Sequence, residues 1–147
     1  MILYLDTSAL VKLYVEEDHS ELVRAWSEQA EILGTSVVAL PEMMSALGRK
    51  SREGEISPED LHRVRTQVEA EWGDYAVLPV RAGSAAQLAL EQGLRGFDAI
   101  HLDAALRLTQ EDATGSSAFA SFDRQLNRAA RSQGLTVLEP EDAKGGK

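Results

Sequence analysis

The chain predicts an α/β domain built on a parallel sheet with helices on both faces. Apolar runs of strand length alternate with segments of helical period from one end to the other. The runs are nearly continuous rather than alternately polar, as strands covered on both faces require. Proline, glycine and cap residues fall between the two kinds of segment.

Taken in order, Ile2 to Leu5 is the first strand and ends abruptly in Asp6-Thr7-Ser8. Thr7 or Ser8 can cap the helix that continues from Leu10 to Val15. After the polar break at residues 16–20, Leu22, Val23, Ala25, Trp26 and Ala30 give the next helix one apolar stripe. Ile32 to Val38 reads as the second strand. Pro41 marks the start of a helix, because proline suits its first position. Met43, Met44, Ala46 and Leu47 form that helix's buried side, and Arg49, Lys50 and Arg52 complement its carboxyl end before Gly54 stops it. Met43, Met44 and the stripe of Leu22 and Trp26 suit core or dimer surface better than cofactor contact.

Ser57-Pro58-Glu59-Asp60 supplies a cap, a proline and an acidic first turn for a helix from Leu61 to about Trp72. Tyr75 to Val80 is the third strand and Ala82 to Gln92 the following helix. Phe97-Asp98 opens another helix after two glycines, and residues 111–117 are loop. Ser117 to Phe122 is the fourth strand, ending in Asp123; a helix follows until Gly134, and Leu135 to Leu138 is the last strand. One domain over residues 1–138 and a flexible tail over 139–147 are therefore expected.

Composition narrows the function. Without cysteine the fold cannot rest on disulfides or thiolate metal sites, which suits a reducing cytoplasm, and any metal must be held by oxygen or imidazole. No apolar segment approaches the length of a membrane helix, and Met1 leads straight into a strand, so a soluble cytoplasmic protein with no membrane partner is expected. The formal net charge is −9, from 15 Lys plus Arg against 24 Asp plus Glu. Nucleic-acid binders are usually basic, but a cluster of carboxylates is itself part of this acidity, and a bound cation reverses the local sign.

Four carboxylates occupy one kind of junction: Asp6 after the first strand, Glu42 at a helix start, Asp98 at another, and Asp123 after the fourth strand. In a parallel sheet all strand carboxyl ends share one edge, so these side chains can converge. Each also has an ordinary role open to it, helix capping for Asp98 and Asp123 and dipole complementation for Glu42. Caps alone would show no preference for strand ends. Carboxylates at close range must protonate in part or share cations, and hard divalent ions such as Mg²⁺ or Mn²⁺ are the fitting partners. Such ions activate water and neutralise a phosphodiester without any catalytic His, Cys or Ser.

Leu5-Asp6-Thr7-Ser8-Ala9-Leu10-Val11-Lys12-Leu13, Leu40-Pro41-Glu42, Phe97-Asp98-Ala99-Ile100-His101-Leu102 and Ser121-Phe122-Asp123-Arg124-Gln125-Leu126 resemble, in this order and spacing, the motif series of PIN domains. Length and layout resemble the VapC-type toxins within that family. The resemblance implies a three-layer α/β/α sandwich with a five-stranded parallel sheet in the order 3-2-1-4-5. It also implies an Mg²⁺- or Mn²⁺-dependent ribonuclease acting on RNA, a homodimer, and a cognate antitoxin that fills the active-site groove. Asp6, Glu42, Asp98 and Asp123 carry over as catalytic, metal-holding acids, and Thr7 or Ser8 as a secondary ligand or water holder; the family's fourth acid, here Asp123, is its most variable.

Arg49, Lys50, Arg52, Arg124 and Arg128 are candidate contacts to the RNA backbone. Asp103, five residues past Asp98, lies off its helix face and reads as a supporting or surface acid. His101 reads as a packed or solvated side chain, since a hard metal favours oxygen. A receiver-like signalling domain is the alternative from another class, but it needs adjacent acids after the first strand, where Thr7 follows Asp6, and a lysine near the last one, which is lacking. A catalytically silent module of the same fold is a further alternative, against which the intact acids argue.

Overall fold

A computed structural model describes residues 1–141. Five strands, β1 (Ile2–Leu5), β2 (Ile32–Ser36), β3 (Ala76–Leu78), β4 (Ala118–Ala120) and β5 (Val137–Leu138), form one sheet in the order β3-β2-β1-β4-β5. Every pairing is parallel, with Leu3 opposite Leu33 on one side and Ala118 on the other. The helices are α1 (Thr7–Leu10), α2 (Ser20–Glu28), α3 (Ala39–Arg52), α4 (Pro58–Glu71), α5 (Ala82–Gln92), α6 (Gly96–Gln110) and α7 (Arg124–Ser132).

The two-residue period of the strands sorts the core into two halves. Leu3 and Leu5 join Ala118 and Ala120 in one cluster with Leu10, Val23, Met43, Leu47 and Val68, from α1 to α4. Tyr4 and Phe119 point the other way and pack with Leu102, Ala105, Leu126 and Ala130, from α6 and α7. Burying a Leu or Phe completely is worth about 1.5–3 kcal/mol, so both helical layers are held by β1 and β4, the central strands. Helix α6 sits close on β2: a Cβ built on Gly34 would lie 2.3 Å from Leu108 Cδ2, so any larger residue there requires the Leu108 side chain to shift.

Several boundaries differ from those the sequence suggested. Helix α3 begins at Ala39, two residues before Pro41, which still lies among the first four residues whose N–H groups lack a partner inside a helix. The helix expected over Leu10–Val15 is α1 followed by a 3₁₀ turn over Val11–Leu13. Its cap is neither Thr7 nor Ser8 but Asp6, whose Oδ1 accepts from the Ala9 N–H at 3.0 Å. The first residues of the tail expected from Glu139 are packed: Asn127 Nδ2 donates to Glu139 Oε1 at 3.2 Å, Arg131 pairs with the same carboxylate, and Pro140 is buried. The rest of the segment expected to be a tail, 142–147, lies outside the described residues.

Candidate active site

Asp6 and Asp123 leave the carboxyl ends of β1 and β4, while Glu42 and Asp98 stand in the first turns of α3 and α6. All four line one cleft of about 660 Å³, together with Thr7, Ser8, Arg49, Arg95, Phe97 and His101. Segments more than a hundred residues apart in the chain thus deliver their acids to one edge of the sheet.

Asp6 is only 4% exposed and is gripped from three sides. Ser8 Oγ donates to its Oδ1 at 2.6 Å, Ala9 N–H to the same oxygen, and Ser121 Oγ to Oδ2 at 2.5 Å. Both hydroxyls also accept backbone N–H groups, Ser8 from Phe122 at 2.9 Å and Ser121 from Asp123 at 3.1 Å, so they pin the loop after β4 to the end of β1. Burial raises the Asp6 pKa above its ordinary 3.8, outweighing the neighbouring His101 ring and the hydrogen bonds that favour the carboxylate.

Glu42 is held differently. Thr7 Oγ1 donates to Glu42 Oε1 at 2.6 Å, and His101 Nε2 lies 2.8 Å from the same oxygen. A carboxylate only accepts, so Nε2 carries the proton, and in the neutral ring Nδ1 accepts from the Tyr4 hydroxyl at 2.8 Å. The ring and Tyr4 are both buried. Burial pushes the Glu42 pKa upward, but the hydrogen bonds from His101 and Thr7 outweigh it and the net shift is downward.

Asp98 and Asp123 are joined by a cation from the chain itself. Arg95 Nε lies 3.3 Å from Asp98 Oδ2 and its terminal NH2 nitrogen 3.3 Å from Asp123 Oδ2. Asp123 caps α7 as well, accepting from Leu126 N–H at 2.8 Å; Asp98 caps nothing, since Arg95 holds the N-cap position of α6. Burial and the neighbouring Asp123 raise the Asp98 pKa despite Arg95. As the side chains stand, no three Asp, Glu or His residues among those described are arranged to grip a single ion. Their present partners are hydroxyls, His101 and Arg95.

Of the five basic residues expected to face RNA, Arg49 lines the cleft. Lys50 is engaged by Glu17 at 3.2 Å and Glu55 at 3.5 Å, Arg52 is exposed at the end of α3, and Arg124 and Arg128 are exposed on α7 outside the cleft lining. Asp103 is neither a surface acid nor a neighbour of the four: it is buried against Arg107, with Nε and Oδ2 3.1 Å apart. Sequence reasoning missed Arg95 and the role of His101 beside Glu42. Both stand three residues from Asp98, the spacing that shares a helix face, and that signal was available.

The PIN domain family model matches residues 3–132. This chain belongs to the PIN domain family. Ribonuclease VapC45 of Mycobacterium tuberculosis is 32% identical over 143 residues, covering 92% of this chain and 94% of its own length. Among solved structures, PAE2754 of Pyrobaculum aerophilum superposes with a TM-score of 0.66 at 20% identity, covering 93% of this PIN domain and 83% of its own chain. FitAcB of Neisseria gonorrhoeae gives 0.65 at 19% identity, covering 95% and 98%. The strand order implied by the motif series is the order this PIN domain adopts, and the receiver-like alternative falls away. No helix among the described residues is long and apolar enough to cross a membrane.

Proposed function

We propose that this PIN domain is a divalent-metal-dependent endoribonuclease of the VapC type, the toxin of a pair whose antitoxin covers the cleft. The observation that carries the reading is the gathering of Asp6, Glu42, Asp98 and Asp123 into one cleft from four separate segments. The donor set fits a hard cation: it is made of carboxylate and hydroxyl oxygens, without sulfur. A second sign of fit is that the oxygens of Asp98 and Asp123 already share one positive group, the Arg95 guanidinium.

In this reading Asp6, Glu42, Asp98 and Asp123 hold Mg²⁺ or Mn²⁺, with the Thr7 and Ser8 hydroxyls fixing the orientation of Glu42 and Asp6. Bound there, the ion supplies Lewis-acid activation of water and of the phosphodiester. The chain's own part is placement. Ser8 and Ser121 lock both oxygens of Asp6, and the line Tyr4–His101–Glu42 fixes the second acid from behind, as outer partners of metal ligands commonly do. Glu42, with its lowered pKa, stays ionised through the neutral range as an oxygen donor. Arg49 on the cleft wall is placed for a backbone phosphate.

Hydrolysis of a structured RNA by the purified protein, with Mg²⁺ or Mn²⁺ and then with excess EDTA, tests the proposal. Cleavage should require the metal and should be lost in Asp6→Asn and Asp98→Asn. Cleavage that persists in EDTA would sink the metal-dependent reading, and no cleavage under any metal would sink the nuclease reading in favour of a silent module. A homodimer is part of the same proposal. Leu90 at 88% and Phe97 at 57% exposure are apolar side chains that a second copy would cover, and light scattering of the eluted protein reads its mass directly.

A further inference from the structure

We propose that Arg95 is the cleft's built-in counter-ion, competing with a divalent cation for Asp98 and Asp123, and that when displaced it becomes a contact for the substrate's phosphate. The inference rests on the metal-dependent reading above and deepens it by giving this residue a place in metal loading and RNA binding.

Arg95 occupies the N-cap position of α6 in an extended backbone conformation, with φ −65° and ψ 154°. From there its side chain turns back over the first helical turn and meets Asp98 and Asp123 together. The two acids come from separate elements, and the guanidinium touches Oδ2 of each, so it sits where a shared cation would have to reach. Neither carboxylate has another positively charged partner within salt-bridge distance among the described residues. The like charges of Asp98 and Asp123 disfavour one another, which gives the cleft a standing demand for positive charge.

Two features make the arrangement displaceable rather than structural. Both contacts, at 3.3 Å, are longer than the 2.7–2.9 Å typical of a charge-assisted N–H···O⁻ bond, and the Arg95 side chain is 80% exposed. Exposed pairs of this kind contribute little. A doubly charged ion brings more charge to the same oxygens in a smaller volume, so it wins at sufficient concentration, and the guanidinium then moves to the rim of the cleft. Its planar fork of donors suits a phosphate there. The cleft would otherwise present an RNA backbone mainly with carboxylates, Arg49 being the other arginine in its lining.

The test is Mn²⁺ binding by calorimetry, with KM for a single-stranded RNA oligonucleotide, on full-length wild type, Arg95→Ala, Arg95→Lys and Asp98→Asn, each checked for folding by circular dichroism. Arg95→Ala should bind Mn²⁺ about three- to tenfold more tightly, the combined worth of two exposed pairs, while its KM for RNA rises by about three- to tenfold. Arg95→Lys, which keeps the charge and loses the fork, should fall between. A merely structural salt bridge would lower the melting temperature and leave both constants alone. Mn²⁺ affinity within twofold of wild type in Arg95→Ala, or an unmoved KM, overturns the proposal. If wild type binds Mn²⁺ and Asp98→Asn does not, the metal reading survives that failure; if neither wild type nor Arg95→Ala binds Mn²⁺, both fall together.

Discussion

Asp6 and Asp112 are two aspartates with three hydrogen-bond donors each and opposite electrostatic fates. Asp112, in the loop between α6 and β4, accepts from Thr114 N–H at 3.0 Å, Thr114 Oγ1 at 2.6 Å and Ser117 Oγ at 2.7 Å. Asp6 receives two hydroxyls and one N–H at closely similar distances. Yet those bonds pull Asp112 down to about 2, while Asp6 is pushed above its ordinary value. The donors are alike and the solvent is not: Asp112 lies at the surface on the amino edge of the sheet, Asp6 is buried on the carboxyl edge. Desolvation therefore outweighs a full set of hydrogen bonds, and the carboxyl edge carries negative charge at a cost that its own donors do not offset. A fold that keeps such a group has a use for it, whereas Asp112 is explained by the loop it ties.

The largest expected effect separates the two edges by activity. Asp6→Asn should reduce RNA cleavage by at least about 100-fold with the fold preserved, as loss of a metal ligand or its support does. Asp112→Asn should leave kcat and KM within about twofold, since changes away from the reacting groups are usually small. Equal losses in both variants would erase the distinction. Next in size is His101→Gln, which removes the ring that links Tyr4 to Glu42. It should lower kcat by about 10- to 100-fold, with KM for RNA little changed, if the buried ring acts by positioning Glu42. A change confined to KM would move His101 to the binding surface instead.

How far the sequence foretold this cleft follows from the same contrast. The five strands, their shared direction and the four acids were legible because each leaves a local mark: an apolar run for a strand, a carboxylate soon after the run for Asp6 and Asp123, and a helix start for Glu42 and Asp98. The strand order came from the resemblance to PIN domains. Cap identity was misjudged at the first helix because capping depends on one residue of register, and α1 starts at Thr7 rather than later. The state of the acids was not legible at all. That Ser121 closes on Asp6, that His101 backs Glu42 and that Arg95 spans Asp98 and Asp123 are contacts between residues 3 to 115 positions apart, and only the Asp98 helix spacing hinted at two of them. Asp103, five residues along the same helix, shows the reverse: an acid of suitable type and neighbourhood that the helical turn sends to Arg107.

A smaller effect appears in metal-free stability. Asp6 and Asp98 have folded-state pKa values raised above 3.8, so at neutral pH, where the unfolded state is ionised, each costs stability. As pH falls through the raised values the folded state takes the proton first and the cost is relieved. Glu42 works the other way, with its contribution lost only as pH falls below its ordinary 4.5. From pH 7 to just above 4.5, in EDTA, the carboxylates of the cleft should therefore raise the melting temperature. Asp98→Asn should begin higher at pH 7, by about 2–4 °C, and rise less. A wild-type melting temperature that falls steadily over this interval, with Asp98→Asn following in parallel, would show that the cleft's charges cost nothing.

The smallest effect belongs to Asp112 and fixes the other end of the comparison. Its pKa of about 2 lies below the ordinary 3.8, so its ionised form is the one the loop prefers, and its contribution is complete above 3.8 and lost as pH falls through about 2. Asp112→Ala removes the acceptor shared by Thr114 and Ser117 while leaving the strands untouched. Amide hydrogen exchange should then speed up over residues 111–117 at neutral pH, with the melting temperature within about 2 °C of wild type, because loops of this kind open locally without global unfolding. Wild type taken below about pH 2 should show the same local loosening, whereas Asp112→Ala, already lacking the charge, should show no further change there. Exchange that accelerates instead across β1 and β4 would mean that the surface aspartate supports the core, and the two edges of the sheet would no longer differ in kind.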